Sequence, residues 1–375
     1  LVMGVVVIAV LLFLPLPAFY GRSWAVVIVM LATSLLLLYQ VLGAALLPRA
    51  VPRNRALIYG TGSRAQAVGQ RMRRPGAHTE LVGFFASPNE REHLVPQRDV
   101  LEPLQSLQAL VCGQRINEIV VALSERRGGS MPMRELLDCK LSGVRVIDVA
   151  TYFEQNAGQI RLDAMSAGFL IFGDGFNQGF WRTGTKRVFD IFSALVLIIL
   201  SSPLMLLAAL AIKLESPGPV LYRQERVGLF GAVFNVVKFR SMRTDAEKDG
   251  VPRWATAGDS RITRVGRIIR KLRIDELPQL FSVLVGTMSM VGPRPERPYF
   301  VEQLTQEIPF YAVRHSVKPG VTGWAQVSYQ YGSSKEDTVE KLQYDLYYVK
   351  NHSLFLDLVI LFQTVGVVLT GKGAQ

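Results

Sequence analysis

Three stretches without a charged side chain, residues 1–20, 24–47 and 191–212, set the terms for this chain. Each is about as long as a helix needs to cross the ~30 Å hydrocarbon core of a bilayer. Two buried helices of a soluble core are the competing reading of the first two. The overall balance favours the membrane: 49% of residues are hydrophobic and mean hydropathy is +0.24, with the apolar residues gathered in blocks. Apolar sequence is already under way at Leu1, so the expectation is a fragment of a longer N-terminal membrane region. It does not read as a signal peptide, because the small-residue cleavage pattern is missing and a second block follows at once. Arg49, Arg53, Arg55 and Arg64 follow the second block, against Arg22 alone on its other side. The positive-inside rule then places everything after it on the cytoplasmic side.

Beyond the second block, residues 56–59 read as a buried strand. They lead into Gly60-Thr61-Gly62-Ser63-Arg64-Ala65, a G-x-G-x-x-A turn opening a helix to about Met72. The backbone N–H groups of such a turn can receive a phosphate. Further strands are expected at 81–85, 118–123 and 144–148 with helices between, the alternation of a Rossmann-like parallel α/β domain. The acidic residue that should meet a ribose is Glu80, before the second strand rather than at its end. A nucleotide site and a scaffold that merely keeps the turn both remain open. Residues 151–185 form a link with many glycines and aromatics.

The third block carries Ser201-Ser202-Pro203 at its centre. Proline removes a backbone hydrogen bond and kinks a helix there, and serine hydroxyls can bond the freed carbonyls. Cations flank both ends: Arg182, Lys186 and Arg187 before, Lys213, Arg223 and Arg226 after. A simple span is the reading by length. A helix that enters, bends at Ser202-Pro203 and leaves on the same face satisfies both flanks and is favoured.

Strands are expected at 220–223 and 233–239, the second ending in Lys238-Phe239-Arg240-Ser241-Met242-Arg243. Surface solvation is the ordinary reason for such a run; a place beside a phosphate site is the sharper one. From Arg261, arginines recur every three residues while Ile262, Val265, Ile268, Ile269 and Leu272 follow helical spacing on another face. The pattern suits an amphipathic helix lying in a membrane interface, or a solvated face packed on a soluble core.

Asp275-Glu276-Leu277-Pro278 then reads as a helix start, with Asp275 as N-cap and Pro278 in the first turn. The helix N-terminus and nearby arginines should keep Asp275 ionised. An exposed carboxylate beside an activated phosphate is equipped for nucleophilic catalysis. Glu276 would hold a divalent cation, and oxygen ligands with phosphate substrates suggest Mg²⁺. Capping alone is the ordinary explanation of an isolated Asp-Glu pair.

The neighbouring motifs change that balance. Asp275-Glu276-Leu277-Pro278-Gln279-Leu280, Met288-Ser289-Met290-Val291-Gly292-Pro293-Arg294-Pro295-Glu296 and Lys318-Pro319-Gly320-Val321-Thr322-Gly323-Trp324-Ala325-Gln326-Val327 closely resemble the bacterial sugar transferases. These are the monotopic polyprenyl-phosphate phosphoglycosyl transferases that begin exopolysaccharide and O-antigen assembly. Lys238 to Met242 and Ser202-Pro203 match as well, and the resemblance runs from Lys186 to Ala374. The resemblance implies that Asp275 attacks the β-phosphate of a UDP-sugar, releasing UMP, and that a polyprenyl (undecaprenyl) phosphate then takes the phosphosugar. It implies Glu276, with Asp275, at Mg²⁺; Lys238 and Arg240 at phosphates; Arg294 and Glu296 at the nucleotide; and Ser202-Pro203 as the break in a re-entrant helix. Arg273, directly before the carboxylate pair, is expected among the substrate-binding residues. Longer relatives, similar to undecaprenyl-phosphate galactose or glucose phosphotransferases, suggest a homodimer through the Rossmann-like domain.

The expected architecture is therefore a membrane α/β protein: two N-terminal transmembrane helices (1–49), a Rossmann-like parallel α/β domain (50–150), a linker (151–185) and an α+β catalytic domain (186–375). A re-entrant membrane helix (188–213) and interfacial amphipathic helices anchor that last domain. Residues 354–370 read as an interfacial or core-packed helix because Asp357 interrupts them. The expected location is the bacterial inner membrane with the active site on the cytoplasmic face. Two cysteines, Cys112 and Cys139, and four scattered histidines exclude a disulfide framework or a Cys/His metal site. The net charge of +12 suits lipid head groups and phosphorylated substrates, and without a recognition motif it gives no reason to expect nucleic acid. Rival classes are an NAD-dependent sugar-nucleotide enzyme centred on Gly60-Thr61-Gly62 and a non-catalytic membrane scaffold.

Overall fold

A computed structural model of the chain describes residues 54–74, 79–88, 90, 92–101, 106–123, 131–163, 165, 175–176, 179–244, 259, 261–329 and 334–370. The two N-terminal apolar blocks expected to span the membrane lie outside these residues, as does most of the glycine-rich link. The chain divides into two compact units that meet between Tyr152 and Phe153.

The first unit alternates strands and helices: β1 (Asn54–Tyr59), α1 (Ser63–Met72), β2 (Thr79–Phe85), β3 (Val100–Leu101), α2 (Leu107–Gly113), β4 (Glu118–Val121), α3 (Met133–Leu141), β5 (Arg145–Asp148) and α4 (Val149–Ala157), which crosses the boundary. The strands form one parallel sheet in the order β3-β2-β1-β4-β5. Ala56, Leu57 and Ile58 are fully buried at its centre, as expected of a short apolar run covered on both faces. Leu57, Ile119 and Val121 pack with Leu107, Val111, Leu136 and Cys139, so Cys139 serves as a small core side chain. The two-residue β3 was not anticipated; it is too short to carry a pattern. Gly60 follows β1 with φ of 128°, and a Cβ there would press on the Ala122 carbonyl at 3.0 Å, which is why the turn needs glycine.

The second unit begins with α5 (Phe180–Glu215), an unbroken helix of 36 residues that passes through Pro203. It continues because the Ser202 hydroxyl donates to Ile199 O at 2.9 Å, the carbonyl that proline leaves without its N–H. The Ser201 hydroxyl donates to Leu197 O at 2.6 Å. This is the one described helix long and apolar enough to cross a membrane, and only 11% of its most apolar window is buried. Such exposure is unlike a helix packed within a soluble core and fits a membrane-associated α/β protein. Residues on both sides of Pro203 pack on the same unit: Ala194 with Leu280, Val283 and Met290, and Ala208 and Ile212 with Phe239, Ile269 and Ile274. Leu277 packs against both groups.

After α5 comes an antiparallel pair, β6 (Leu221–Val227) and β7 (Val233–Phe239). Then follow α6 (Arg264–Lys271), a short 3₁₀ turn at Ile274–Glu276, α7 (Gln279–Val285), β8 (Ser289–Val291), α8 (Pro298–Glu307), β9 (Gly320–Thr322), α9 (Trp324–Ser328), α10 (Lys335–Asn351) and α11 (Leu354–Thr370). Glu215, the last residue of α5, accepts from Arg264 N at 2.7 Å and Val265 N at 3.1 Å. It thereby joins the Thr263 hydroxyl, which accepts from Gly266 N, in satisfying the start of α6. On α6, Ile269 is buried while Ile268 and Leu272 are 60% and 50% exposed among arginines. That outward apolar pair agrees with the interfacial reading.

A buried polar network ties α5 to α10 and α11. Asp357 is fully buried; it receives the Lys186 Nζ at 2.6 Å and the Tyr348 hydroxyl at 2.7 Å. Asp190 accepts from Ser289 Oγ and Met290 N. Arg187 donates to Val283 O and Leu284 O, closing the carbonyl end of α7. Asp357, together with buried Ile360 and the Thr322–Thr364 hydroxyl pair, docks α11 on its own unit.

Candidate active site

Three structural devices converge on Glu276. Strand β7 carries Lys238 to it: Nζ lies 3.2 Å from Oε1. The residue before the 3₁₀ turn, Arg273, adopts a left-handed conformation with φ of 58°, unusual for a non-glycine residue, and its Nη1 lies 3.8 Å from the same oxygen. Beyond β8, Gly292 allows the backbone to approach β9 closely; a Cβ there would strike the Lys318 carbonyl. That approach brings in Pro293-Arg294-Pro295, and Arg294 Nη2 donates to Glu276 Oε1 at 2.9 Å. A small cleft beside them is lined by Arg226, Val236, Lys238, Gln279, Arg294 and Pro295.

The two carboxylates behave differently. Burial alone would raise Glu276, but Arg294, Lys238 and Arg273 outweigh it and hold the carboxyl far below the usual range. Asp275 is pushed the other way, to about 6, by burial first and by adjacent Glu276 second. Its Oδ1 is buried with no hydrogen-bond partner. The result is an ionised anchor beside a poorly solvated carboxylate that is still mostly charged at neutral pH. This corrects the expectation that arginines depress Asp275: the closest cations are engaged by Glu276. The local structure also differs. Asp275 sits inside the 3₁₀ turn, and Pro278 rather than Asp275 occupies the N-cap of α7, because the left-handed Arg273 starts a separate turn.

A family model for the bacterial sugar transferases matches residues 181–371. The chain belongs to that family. The chain is 47% identical over 242 residues, 64% of its length, to a "UDP-N-acetylgalactosamine-undecaprenyl-phosphate N-acetylgalactosaminephosphotransferase" of Aeromonas hydrophila, and covers 56% of that protein. It is 37% identical over 302 residues, 79% of its length, to a "UDP-glucose:undecaprenyl-phosphate glucose-1-phosphate transferase" of Escherichia coli K12, covering 63% of it. A protein of the same name from Caulobacter vibrioides is 48% identical over 193 residues, half of this chain and 71% of the relative. The chain therefore spans less than two thirds of the length of the first two relatives.

Of the candidate residues, Asp275, Glu276, Lys238, Arg273 and Arg294 are brought together by the structure. Arg240 is not. Its guanidinium binds Pro217 O, Ser216 O and Ser216 Oγ at 2.7 to 2.9 Å, fastening the turn after α5; β7 ends at Phe239, so Arg240 leaves the strand face that Lys238 occupies. Glu296 pairs with Arg226 at 3.4 Å rather than facing the carboxylate pair. Ser202 and Pro203 lie within α5, in the membrane-type segment.

Arg226 and Gln279 line the cleft too; in the sequence Arg226 reads only as a flanking charge and Gln279 only as part of a motif. Arg314 binds the Arg294 carbonyl and pairs with Asp345, and neither residue carries a pattern in the sequence that marks it.

The Gly60 turn of the first unit is filled from within. The Glu90 carboxylate accepts from Thr61 N at 2.7 Å, Gly62 N at 3.0 Å and Thr61 Oγ1 at 3.1 Å. These are the N–H groups that would receive a phosphate, so the arrangement gives the NAD-dependent reading no support.

Among the described residues, no group of three or more His, Cys, Asp or Glu could hold a metal ion alone. Two adjacent carboxylates with one orphaned oxygen nevertheless fit Mg²⁺, which is commonly held by one or two carboxylates together with substrate phosphates.

Proposed function

We propose that this chain transfers a sugar-1-phosphate from a UDP-sugar to a polyprenyl (undecaprenyl) phosphate as the initiating step of exopolysaccharide or O-antigen synthesis. The observation that carries the reading is the Asp275–Glu276 pair: a partnerless carboxylate oxygen beside a carboxylate locked by Lys238, Arg273 and Arg294. In step one, an Asp275 carboxylate oxygen attacks the β-phosphorus of the donor. The bond from that phosphorus to the bridging oxygen breaks, and UMP leaves with the bonding pair. In step two, a phosphate oxygen of the polyprenyl acceptor attacks the same phosphorus and the Asp275 carboxylate is restored. The cations around Glu276 orient the diphosphate and offset charge developing on the leaving group. Mg²⁺, held by Glu276 and Asp275 with the donor's phosphates, would supply further charge neutralisation.

A soluble donor and a lipid acceptor must reach one carboxylate, which places the site at a membrane surface. Packing of α5 on one unit from both sides of Pro203 supports a re-entrant helix, and the outward Ile268 and Leu272 support an interfacial α6. We read the first unit as a Rossmann-like scaffold and as the contact of a homodimer. The two N-terminal blocks are read as transmembrane helices and the site as cytoplasmic at the bacterial inner membrane.

The test is UMP release by detergent-purified protein with undecaprenyl phosphate across a panel of UDP-sugars. One or more sugars should support turnover; no UMP release with any donor would sink the assignment. For topology, single cysteines at Arg182 and Lys213 are expected to label from the same membrane face, and labelling from opposite faces would overturn the re-entrant helix.

A further inference from the structure

The segment Pro293–Glu296 that delivers Arg294 has no internal regular structure, and two of its four residues lack an N–H. Its carbonyls are nevertheless all bound, each by a different part of the unit. Gly320 N donates to Pro293 O at 3.0 Å and Val227 N to Glu296 O at 2.9 Å. Between them, Arg314 Nη2 donates to Arg294 O at 2.9 Å and Arg226 Nη1 to Pro295 O at 3.0 Å. Arg314 is 6% exposed; it also pairs with buried Asp345 at 2.7 Å and donates to the Tyr311 hydroxyl at 2.7 Å. Burying an arginine is costly unless it is paired and hydrogen-bonded, and here that pairing fixes both the charge and the direction of its fork.

We propose that Arg314, with Asp345 as its buried counter-ion, and Arg226 are positioning residues that hold Arg294 against Glu276 by binding the Arg294 and Pro295 carbonyls. The inference rests on the reading of Asp275 and Glu276 as the reacting site. Neither arginine is hydrogen-bonded or ion-paired to Asp275 or Glu276; each acts through the backbone of the segment. A guanidinium fork can serve a carbonyl and a carboxylate or hydroxyl together, whereas a single ammonium has one nitrogen to share among them. Misplacement of a reactive-site group by about 1 Å can cost about a hundredfold in rate.

The test uses Arg314→Lys and, should that variant fold poorly, Arg226→Lys, both in the full chain in detergent. Hydrogen exchange should speed up about tenfold or more in peptides carrying Val227 and Gly320, whose amides hold the same segment, with the interior of α10 unchanged. UMP release should fall about a hundredfold, and the loss should vanish in an Arg294→Ala background, since the arginines act through Arg294. Unchanged exchange at Val227 and Gly320 in both variants overturns the proposal, whether or not UMP is released. So does a rate loss that adds fully to that of Arg294→Ala, or a loss of protection spread evenly over the unit. Absence of UMP release from the unmodified protein would instead count against the functional reading, with the exchange result still deciding the clamp.

Discussion

Asp275→Asn should lose UMP release by at least about a thousandfold while making the protein more stable. The first effect follows if Asp275 is the nucleophile, because the amide oxygen is a far weaker one. The second follows from the environment of the carboxyl. Its folded value, about 6, lies above the ordinary 3.8. Protonation therefore favours the fold: that stability is present below about pH 4 and is lost as pH rises through about 6. At neutral pH the ionised carboxylate is a cost that asparagine removes, by about 1–3 kcal/mol. Thermal unfolding of metal-free protein at pH 7.5 and pH 5 would read it. The gain should be larger at the higher pH. Loss of both activity and stability would mean that Asp275 is a structural carboxylate.

Glu276→Gln should behave in the opposite sense. It leaves Lys238, Arg273 and Arg294 around a neutral amide. Removing one partner of a buried ion cluster typically costs about 3–5 kcal/mol. The loss should appear in the presence of EDTA, because the three cations need a counter-ion whether or not a metal is bound. If Glu276 served a metal alone, Glu276→Gln would leave the metal-free protein as stable as before. Activity should fall with it, since Arg294 and Lys238 lose the group that fixes them.

Much of this arrangement was legible in the chain. The apolar runs at 56–59 and 119–123 announce central strands, because a parallel sheet covered on both faces tolerates little else there. The spacing of arginines and isoleucines from 264 to 271 announces α6. The motifs around Asp275, Gly292 and Gly320 point to one site, and Gly292, Gly320 and Gly323 lie where the chain segments around β8 and β9 approach too closely for a Cβ. Direction was harder to read than location. Lys238 and Arg240 are two residues apart, and strand periodicity puts them on one face; the strand stops between them, and Arg240 turns to the carbonyls of Ser216 and Pro217. Pro203 announces a bend within one helix rather than its end, and helical structure does run through it, the preceding serine taking the carbonyl that proline leaves free. Nothing in an arginine announces the left-handed conformation of Arg273, and that conformation is why Asp275, which reads as an N-cap in the sequence, does not form one. Arg314 and Asp345 are 31 residues apart, and only the fold makes them a pair beneath Arg294.

The central claim is that Asp275 becomes covalently attached to the phosphosugar. The direct measurement is a single-turnover experiment with UDP-sugar and no polyprenyl phosphate, using a donor that supports turnover. UMP should be released in an amount approaching that of the enzyme. Mass spectrometry should find a phosphosugar adduct on the peptide containing Asp275, which disappears when undecaprenyl phosphate is added. UMP released only when the acceptor is present, with no adduct on that peptide, would contradict the account.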